Sequence, residues 1–395
     1  MKSEVILKQS EVSYEVLKVS PELPSKLIEL GATKFYRCFN CGNCTAICPL
    51  TEGKVSYPRK LIRYSLLGLE DRILSSAEPW LCYYCGECSD YCPRDADPGS
   101  FMMSLRRFII QQYSIGKIAK AFYDKRIAAL SWMLLTVLAA TGLLLFRGPN
   151  PNWAQVDLFS FIPLEFIHDA GLILGVIVGA IATINLTIMY RSISRSYLGL
   201  GVSSKGSHTP LWIKNFFRVI FIEVATQLRF AKCTNKKRYL PHMTLFWGFI
   251  GLAIATTIVF GIRFYNVSLP REVPLIIGSI SGVVLLYGAI YFIVARLVKG
   301  EAYSKFSHHS DWMFLLLLFL SVVTGFLLTL FRYINAPALS YITFTIHLIV
   351  VFDLLLTAPF TKFAHSIYRP LALWMTSTKE EVYKMSGSRL VREVV

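Results

Sequence analysis

The chain is poor in acidic residues, in histidine and, within its long apolar stretches, in charge of either sign. Its 395 residues include 41 Lys and Arg against 25 Asp and Glu, a formal net charge of +16, and only seven His. Hydrophobic residues make up 54% of the chain and charged residues 17%. This composition excludes an ordinary soluble domain and a disordered, highly charged chain, because both need more polar surface.

Two other signals are missing. The first twenty residues lack the apolar core and the cleavage site of a secretory signal peptide, so we expect the cysteine-rich part of the chain to stay in the cytoplasm. No Gly-rich dinucleotide fingerprint occurs, so any flavin or nicotinamide is expected on other subunits. The basic excess is concentrated in one loop between apolar stretches, where membrane orientation explains it, and nucleic-acid binding is not expected.

Six apolar stretches approach or exceed the length of about 20 residues that a helix needs to cross a membrane. Only Asp353 places a formal charge inside one of them. Backbone groups in hydrocarbon must bond within their own segment, so each stretch is predicted to be a helix. The predicted spans are 127–146, 170–190, 243–262, 273–295, 312–331 and 338–361.

Basic residues are distributed unevenly among the connecting loops. Residues 191–241 contain ten Lys or Arg, whereas 147–162, 265–272 and 332–340 contain one each. The positive-inside rule therefore predicts that 191–241 is cytoplasmic, and six spans then bring the cysteine-rich head and both termini to the same side of the inner membrane. Within this loop, residues 211–230 mix apolar and basic side chains and suit a helix lying in the membrane interface.

Eight of the nine cysteines form two runs of identical spacing ahead of the apolar stretches. Each run reads Cys-x2-Cys-x2-Cys-x3-Cys-Pro, beginning at Cys38 and at Cys82. This is the bacterial ferredoxin spacing, in which three thiolates of one run bind one [4Fe-4S] cluster and the fourth binds the other cluster. The expected ligand sets are Cys38, Cys41, Cys44 with Cys92, and Cys82, Cys85, Cys88 with Cys48.

Structural zinc is the alternative reading of the Cys-x2-Cys pairs, but zinc has no use for a duplicated run that ends in proline. Residues 49–81 between the runs show helical rather than strand periodicity, so a mostly helical ferredoxin domain is expected. Cys233 stands alone in the basic loop and is expected to be a plain thiol.

Four histidines near the ends of apolar stretches are candidate haem ligands. His347 and His365 are 18 residues apart, so one continuous helix would present both on one face, about 27 Å apart along its axis. Histidine inside a membrane needs a partner, and two haem b groups, one near each surface, would supply that need. Matching by depth pairs His168 with His347 at an outer haem and His242 with His365 at an inner haem.

Alternatives remain open for these and other polar residues. The histidines could be interfacial side chains bonded to water or lipid headgroups, and His308 or His309 could replace an inner ligand. Asp353, Glu165 and Asp169 could handle protons or contact quinone, or could simply be hydrogen-bonded or wet. Basic residues at the inner level could pair with haem propionates: Arg238, Lys362 and Arg369.

Several of these motifs resemble known respiratory subunits. The last apolar stretch, from His347-Leu348 through Pro359-Phe360-Thr361-Lys362 to His365, resembles the final helix of the membrane subunit of respiratory nitrate reductases. The stretch after His242 is similar to that family's other ligand-bearing helix, although Leu252 stands where the family has a second histidine. The cysteine runs and the sequence CPRDADPG at 92–99 resemble the small iron-sulfur subunit of heterodisulfide reductases.

The fusion of such a head to such a membrane domain is similar to the C subunit of quinone-interacting membrane-bound oxidoreductase complexes, over roughly residues 33–370. The resemblance implies soluble flavin and iron-sulfur partner subunits, menaquinone in the membrane, and adenylylsulfate reductase as an associated enzyme in sulfate respiration. The expected function is an electron-transfer subunit, rather than the flavin-bearing catalytic one, that links menaquinone through haem b and two [4Fe-4S] clusters to a cytoplasmic partner. A heterodisulfide or sulfite reductase system could use the same route, and a haem-free membrane anchor for an iron-sulfur module is the alternative.

The predicted fold class is all-α: a helical two-cluster ferredoxin domain followed by a six-helix transmembrane cytochrome b bundle. The predicted divisions are an N-terminal segment 1–30, a ferredoxin domain 31–120, a membrane domain 121–370 that includes the basic loop 191–241, and a cytoplasmic tail 371–395.

Overall fold

A computed structural model describes most of the chain, and helices are the only regular secondary structure in the part that it describes. The predicted all-α fold class is therefore confirmed. Parts of the predicted N-terminal segment, basic loop and tail, at 1–16, 199–208 and 387–395, lie outside the described residues. The described ranges are 17–51, 55–198, 209–270 and 272–386.

Short helices form the head around one apolar core. The core centres on α7, where Phe101, Leu105 and Phe108 are at most 1% exposed. Leu23 and Leu27 of α1 are fully buried in the same core, so the predicted division at residue 30 separates α1 from the helices that it packs against. The head helices are α1 (Leu23–Glu29), α2 (Asn43–Ala46), α3 (Arg59–Leu66), α4 (Glu70–Leu74), α5 (Glu78–Leu81), α6 (Glu87–Asp90), α7 (Pro98–Tyr113) and α8 (Ala119–Asp124), with 3-10 turns at Phe35–Arg37 and Ile115–Lys117.

The start of α7 shows why the chain folds locally as it does. The Asp97 carboxylate accepts a hydrogen bond from the Ser100 N–H at 3.2 Å, and Pro98 occupies the first helical position. An N-cap carboxylate satisfies an otherwise unpaired N–H, and proline suits a position whose own N–H would stay unpaired. The second cysteine run therefore leads directly into the longest helix of the head.

Helices α9 to α19 form the body. Six of them, α9, α11, α14, α15, α17 and α18, are long and apolar enough to cross a membrane, and each contains one predicted span or most of it. Their outward sides carry exposed Leu, Ile, Val and Phe, which suits contact with lipid. The body helices are α9 (Arg126–Arg147), α10 (Leu158–Phe161), α11 (Leu164–Leu198), α12 (Thr209–Arg218), α13 (Leu228–Ala231), α14 (Tyr239–Phe264), α15 (Glu272–Val298), α16 (Ala302–Lys305), α17 (His309–Tyr333), α18 (Pro337–Thr357) and α19 (His365–Ser386).

The end of the bundle differs from the prediction. Helix α18 ends at Thr357, and a turn that contains Pro359 and a short 3-10 segment leads to α19, which begins at His365. Pro359 has no N–H to continue the helical hydrogen bonds, and the backbone is extended at Thr361, so the helix ends here. His347 and His365 therefore lie on two separate helices, and the prediction that one continuous helix presents both on one face was wrong. The predicted tail boundary at residue 370 also falls inside α19.

Helix α19 joins the head to the bundle. The ring of Tyr368 packs against Trp80 of α5, with centroids 5.0 Å apart, and against Tyr113 of α7 at 5.8 Å. From α11, the Ser192 hydroxyl donates to the Leu74 carbonyl at 3.0 Å. Tyr368, Trp80 and Tyr113 are each no more than 1% exposed, and burial of one large side chain contributes about 1.5–3 kcal/mol. Head and bundle thus share one hydrophobic core.

The segment between α11 and α14 lies beside this joint. After α12 the chain forms a π-helix at Val219–Val224, reverses at Gln227, which has a φ of 51°, and continues into α13. Phe217 and Phe221 on this segment are 53% and 66% exposed, which suits the predicted helix in the membrane interface. The reversal turns Gln227 back toward the start of α14.

Candidate cofactor sites

Both cysteine runs adopt the same backbone conformation. The residues two positions after the first cysteine, Asn40 and Tyr84, have φ of 64° and 56°, and Gly42 and Gly86 have φ of 91° and 94°. Glycine adopts positive φ without steric cost, which explains its place after the second cysteine of each run. The turns direct N–H groups at sulfur: the Asn40 N–H lies 3.4 Å from Cys38 Sγ and the Tyr84 N–H 3.3 Å from Cys82 Sγ.

The eight thiols of the two runs line two small cavities, four thiols in each. Within the described residues, no three His, Cys, Asp or Glu side chains converge on the position of a single metal ion. A cubane differs because each thiolate binds a different corner iron, so the two donor sets fit [4Fe-4S] clusters. One cavity is lined by Cys38, Cys41, Cys44 and Cys92, and the other by Cys82, Cys85, Cys88 and Cys48, as the spacing predicts.

The two sets differ in burial. Cys41 of the first set is exposed, whereas Cys82 of the second is buried beneath the body. Burial raises the pKa of the Cys44 thiol to about 11 and raises the pKa of Cys82 and Cys88 as well. The thiolate is the metal ligand, so a bound cluster would hold these side chains in their deprotonated form.

Cys233 is a free thiol, but it lies next to the second cysteine set in the fold. It is fully buried where the basic loop meets the head, and its thiol interacts with the thiol of Cys85. The interaction with Cys233 is the main cause that lowers the pKa of the Cys85 thiol below its usual value. Hydrogen bonds to ligand sulfur are one of the influences on the reduction potential of an iron-sulfur cluster. Cys233 thus contacts the second cysteine set from the body side.

A cavity of about 400 Å³ lies between the Cys82 loop and the bundle. His242 of α14 and His365 of α19 line it, with their ring centroids 6.1 Å apart. Two imidazoles that bind one metal from opposite sides have ring centres about 6 Å apart, because each metal–nitrogen bond is about 2 Å. The structure therefore brings together the two histidines that depth matching assigns to the inner haem.

Each of these two imidazoles is oriented through its Nδ1 atom. His242 Nδ1 lies 2.7 Å from Gln227 Oε1, and His365 Nδ1 lies 2.5 Å from the Lys362 carbonyl oxygen. Both oxygens are acceptors, so Nδ1 carries the proton and Nε2 is the nitrogen available to a metal. Burial and then the nearby Arg369 charge lower the pKa of His365 to about 3, which keeps that imidazole neutral.

The cavity has a cationic end and an apolar end. Six basic side chains and one acid, Asp311, line the end beneath the head, whereas Phe246, Phe249, Phe314 and Phe363 line the end within the bundle. Haem has an apolar macrocycle and two anionic propionates, so the residues present fit it. The six basic residues are Arg106, Arg107, Arg238, Arg296, Lys362 and Arg369.

Three of these arginines also bind the loop of the second cysteine run. Arg369 donates through Nε to the Trp80 carbonyl at 2.9 Å and through Nη2 to the Cys82 carbonyl at 2.8 Å. Arg106 donates to the Cys82 carbonyl as well, and Arg238 donates to the Tyr84 carbonyl at 3.0 Å. Each guanidinium therefore joins the cavity wall to the backbone that carries a candidate cluster ligand. These three residues are named below as the arginine bridge.

The other basic residues of the cavity surround Asp311 at the start of α17. Its carboxylate lies 2.8 Å from Arg107 Nη2, 3.0 Å from Lys362 Nζ and 3.7 Å from Arg296 Nη1. Burial, followed by repulsion from Arg296, lowers the pKa of Lys362 to about 7. Asp311, Arg107 and Arg296 are buried where head and bundle meet, and the Lys362 side chain is half-buried beside them.

The structure does not bring His168 and His347 together. The His168 ring stacks on Phe264 of α14 at 4.2 Å, whereas His347 Nδ1 lies 2.9 Å from the Thr324 hydroxyl of α17. Among the ring contacts of the described residues, none pairs the two histidines. The outer haem with these two ligands stays a prediction.

The remaining candidates are spread over the body. His308 stacks on Tyr123 at 5.7 Å, His309 Nε2 bonds the Phe122 carbonyl at 2.7 Å, and neither lines the cavity of His242 and His365. Asp353 is buried and lies 2.8 Å from the Thr136 hydroxyl. The last two candidates for proton or quinone contact are exposed: Glu165 and Asp169.

Sequence reasoning missed several residues of these sites: Gln227, Arg106, Arg107, Arg296, Asp311 and Cys233. One signal pointed to Arg106, because the adjacent Arg106 and Arg107 interrupt the otherwise apolar run FMMSLRRFII of α7. Arginines in a buried helix need partners, and here Arg106 donates to the Pro79 carbonyl and Arg107 to the Leu30 carbonyl. Gln227 and Cys233 lie in irregular segments where no periodic pattern indicates direction.

Two known families match the chain. Residues 34–96 match a family described as 4Fe-4S dicluster domain, and this range contains all eight clustered cysteines. Residues 130–385, more than half of the chain, match a family described as Citrate utilization protein B. The first match supports iron-sulfur clusters in the head.

Individual relatives match shorter parts. A protein of Archaeoglobus profundus that is named as like the C subunit of heterodisulfide reductase is 36% identical over 113 residues, which is 27% of this chain and 60% of that protein. Citrate utilization protein B of Escherichia coli is 31% identical over 162 residues, 39% of this chain and 41% of that protein. The C subunit of the heterodisulfide,ferredoxin reductase of Methanothermobacter thermautotrophicus is 32% identical over 76 residues, 19% of this chain and 41% of that protein. The chain thus spans 60% or less of each of these relatives.

Proposed function

This chain belongs to the Citrate utilization protein B family, and from that membership and its cysteine cavities we propose that it is a membrane electron-transfer subunit of an oxidoreductase complex. The observation that carries the proposal is the cavity of His242 and His365, which the arginine bridge joins to the Cys82 loop. A metal-binding pair of histidines next to a cluster-binding loop is what electron transfer between the two would need.

The residues of the chain would hold three groups. The two cysteine sets would bind two [4Fe-4S] clusters, and His242 and His365 would bind one haem b, with a second haem at His168 and His347 as the further prediction. When bound, each of these groups gains or loses one electron at a time. The chain supplies ligands, burial and hydrogen bonds, which are the features by which a protein tunes such groups.

The order of the candidate sites supports a path for electrons along the molecule. The His242 and His365 cavity lies at the edge of the bundle, the Cys82 loop lies against the body, and the Cys38 loop carries the exposed Cys41. We infer that electrons travel between the membrane end and the exposed end of this series. The positive-inside distribution of basic residues supports a cytoplasmic position for the head and both termini.

Menaquinol is the proposed reductant at the membrane end, since oxidation of one menaquinol to menaquinone releases two protons and two electrons. Asp353, Glu165 and Asp169 are the proposed contacts for quinone or its protons. At the exposed end we propose soluble flavin and iron-sulfur subunits, with adenylylsulfate reductase in sulfate respiration as the final acceptor. A heterodisulfide or sulfite reductase system could take the same electrons.

The family supplies a second candidate. The Escherichia coli relative is named for citrate utilization, and the match of residues 130–385 to the same family favours a soluble partner that acts in citrate utilization. In that case electrons would enter from the soluble partner and leave to quinone. The residues of the route are the same, so the two candidates differ in direction.

Reoxidation of the reduced protein by a quinone tests the proposed route in either case. The purified full-length protein is reduced with dithionite, freed of excess reductant and mixed with menadione, and the cluster signals are followed by electron paramagnetic resonance. In His242→Ala we expect reoxidation of the clusters to slow at least tenfold. His309→Ala removes an imidazole at the same level outside the cavity and should leave the rate unchanged.

The rival function is a haem-free membrane anchor for the iron-sulfur head. That rival predicts a visible spectrum without haem bands and equal reoxidation rates in His242→Ala and the unaltered protein. Either result would overturn the proposed route through the cavity.

A further inference from the structure

The loop of the first cysteine set carries an exposed aromatic surface. Tyr36, Phe39 and Tyr91 are 57%, 59% and 59% exposed, and Cys41 between them in the fold is exposed as well. Phe39 and Cys41 line the mouth of the first cysteine cavity, and Tyr91 is linked to the same loop through a hydrogen bond from Asn43 at 2.7 Å. Together with Arg94, which lines the same cavity, these residues are called the Cys41 face below.

The loop of the second cysteine set is covered by contrast. The Tyr84 hydroxyl donates to the Ala302 carbonyl at 2.9 Å, and the Thr234 hydroxyl bonds Glu87 at 2.9 Å. A Cβ atom on Gly86 would lie 2.6 Å from Ala302 Cβ, so the body packs directly on this loop. The two ends of the cluster pair are therefore unlike, since the body occupies one and the other is exposed.

Charge around the Cys41 face is mainly basic. Among the described residues at its edge, the Asp95 carboxylate pairs with Lys34 at 2.5 Å and with Arg37 at 3.3 Å. Asp90 is the other exposed acid nearby, on the helix before Tyr91. The cations outnumber these two acids: Lys34, Arg37, Arg59, Arg94 and Lys305.

We propose that the Cys41 face docks a soluble redox protein whose own cofactor is ringed by acidic side chains. This inference rests on the proposed electron-transfer function. Aromatic residues and arginine are enriched in the centres of protein interfaces, and a basic rim attracts and orients an acidic partner. One electron crosses per encounter, from the reduced member to the oxidised one, and no proton or atom moves with it. An anionic lipid surface would also attract the cations but would gain nothing from an exposed cluster ligand.

A reduced plant-type ferredoxin, which is an acidic one-electron donor, serves as the probe. It is mixed in a stopped-flow apparatus with the full-length, cofactor-loaded protein in phosphatidylcholine nanodiscs, and haem reduction is followed optically. At low ionic strength, Arg94→Glu should lower the second-order rate constant about tenfold or more, and salt should shrink the difference. Phe39→Ala should slow the reaction at every ionic strength, because an apolar contact is not screened.

Lys117→Glu is the matched control. It makes the same charge change beyond the far end of α7, whose 16 residues span about 24 Å at about 1.5 Å per residue, and should leave the rate constant unchanged. A cationic c-type cytochrome used as oxidant should react faster with Arg94→Glu than with the unaltered protein. Because Arg94 lines the cluster cavity, Lys305→Glu repeats the test from outside the cysteine loop, with cluster content counted by electron paramagnetic resonance.

Several results would overturn this inference. Equal rate constants for Arg94→Glu, Lys305→Glu and Lys117→Glu at low salt would remove the docking role, as would binding of the face to phosphatidylglycerol vesicles without any effect on ferredoxin. Failure of the proposed function looks different, because the unaltered protein would then not transfer electrons to menadione either.

Discussion

At the residue scale, haem binding by the body would depend on the orientation of the imidazoles of His242 and His365. A lone histidine at a membrane edge can rotate and bond water, whereas His242 and His365 each have Nδ1 fixed by an oxygen acceptor. Such partners set the tautomer and raise the basicity of the metal-binding nitrogen. Gln227 is the more informative of the two partners, since its side chain can be changed and the Lys362 carbonyl cannot.

Gln227→Ala should weaken haem binding by about 10–100-fold, the usual cost of losing a partner of a ligating histidine. The measurement is haem release to apomyoglobin. Gln227→Glu retains an acceptor for the His242 N–H and is the matched control, with release close to that of the unaltered protein. Equal release from the two variants would mean that Gln227 does not orient His242.

Arg369 tests the arginine bridge. Its guanidinium lines the cavity and donates to the carbonyls of Trp80 and Cys82, so its charge acts on both candidate groups. Arg369→Gln should lower the reduction potential of the haem and of the second cluster by about 50 mV, equivalent to about 1 kcal/mol for one partly screened charge. Arg369→Lys keeps the charge and should recover most of the shift in a potentiometric titration. Unchanged potentials in Arg369→Gln would contradict the electrostatic role.

At the scale of elements, the transmembrane spans and the cysteine loops could be predicted because each follows a simple sequence pattern. The spans follow from continuous apolar stretches, and the cysteine loops follow from a duplicated spacing. The break between α18 and α19 was missed because apolar residues continue past Thr357, so that composition alone extended the helix through Pro359. The contact of Cys233 with Cys85 was missed because the two residues are far apart in the sequence.

The two loop glycines offer a matched pair at this scale. Gly42 and Gly86 have almost the same φ, but an added Cβ would meet the flexible tip of Arg59 at 3.2 Å in the first case and Ala302 Cβ at 2.6 Å in the second. Gly86→Ala should therefore lose the second cluster and loosen the head from the body. In Gly42→Ala the positive φ also strains the backbone, but the added Cβ does not collide with the body, so this variant should retain more of its cluster.

Two measurements distinguish the variants. Electron paramagnetic resonance counts the clusters, and limited proteolysis between head and body reports how firmly the two are joined. If Gly42→Ala and Gly86→Ala lose their clusters equally, backbone strain alone explains the result and the contact with Ala302 has no special role.

At the scale of the whole molecule, ion pairs of the buried Asp311 carboxylate stabilise the contact between the head and the bundle. Asp311 of α17 is paired with Arg107 of α7 and with Lys362 between α18 and α19, so one carboxylate links three parts of the chain. This network was not predictable from sequence, since Asp311 stands at the edge of an apolar stretch where acids are commonly solvated. Its partners come from distant segments that only the folded chain brings together.

Removal of that carboxylate should be costly. Asp311→Asn leaves Arg107 buried without a counter-charge, and breaking one side of a buried ion pair typically costs about 3–5 kcal/mol. We expect a lower melting temperature in detergent and a head that separates from the body. Asp169→Asn, at an acid whose side chain is 74% exposed, is the control and should melt like the unaltered protein. Equal melting of the two variants would contradict the structural role of Asp311.

The most direct test of the account is the haem content per chain, measured by pyridine haemochrome on the unaltered protein and on His242→Ala, His365→Ala, His168→Ala and His347→Ala. The account predicts at least one haem b, and loss of one haem in both His242→Ala and His365→Ala. Loss of a second haem in both His168→Ala and His347→Ala would establish the outer pair as well. A chain without haem, or one that retains its full haem content in both His242→Ala and His365→Ala, would contradict the central claim that these two residues bind a haem next to the Cys82 loop.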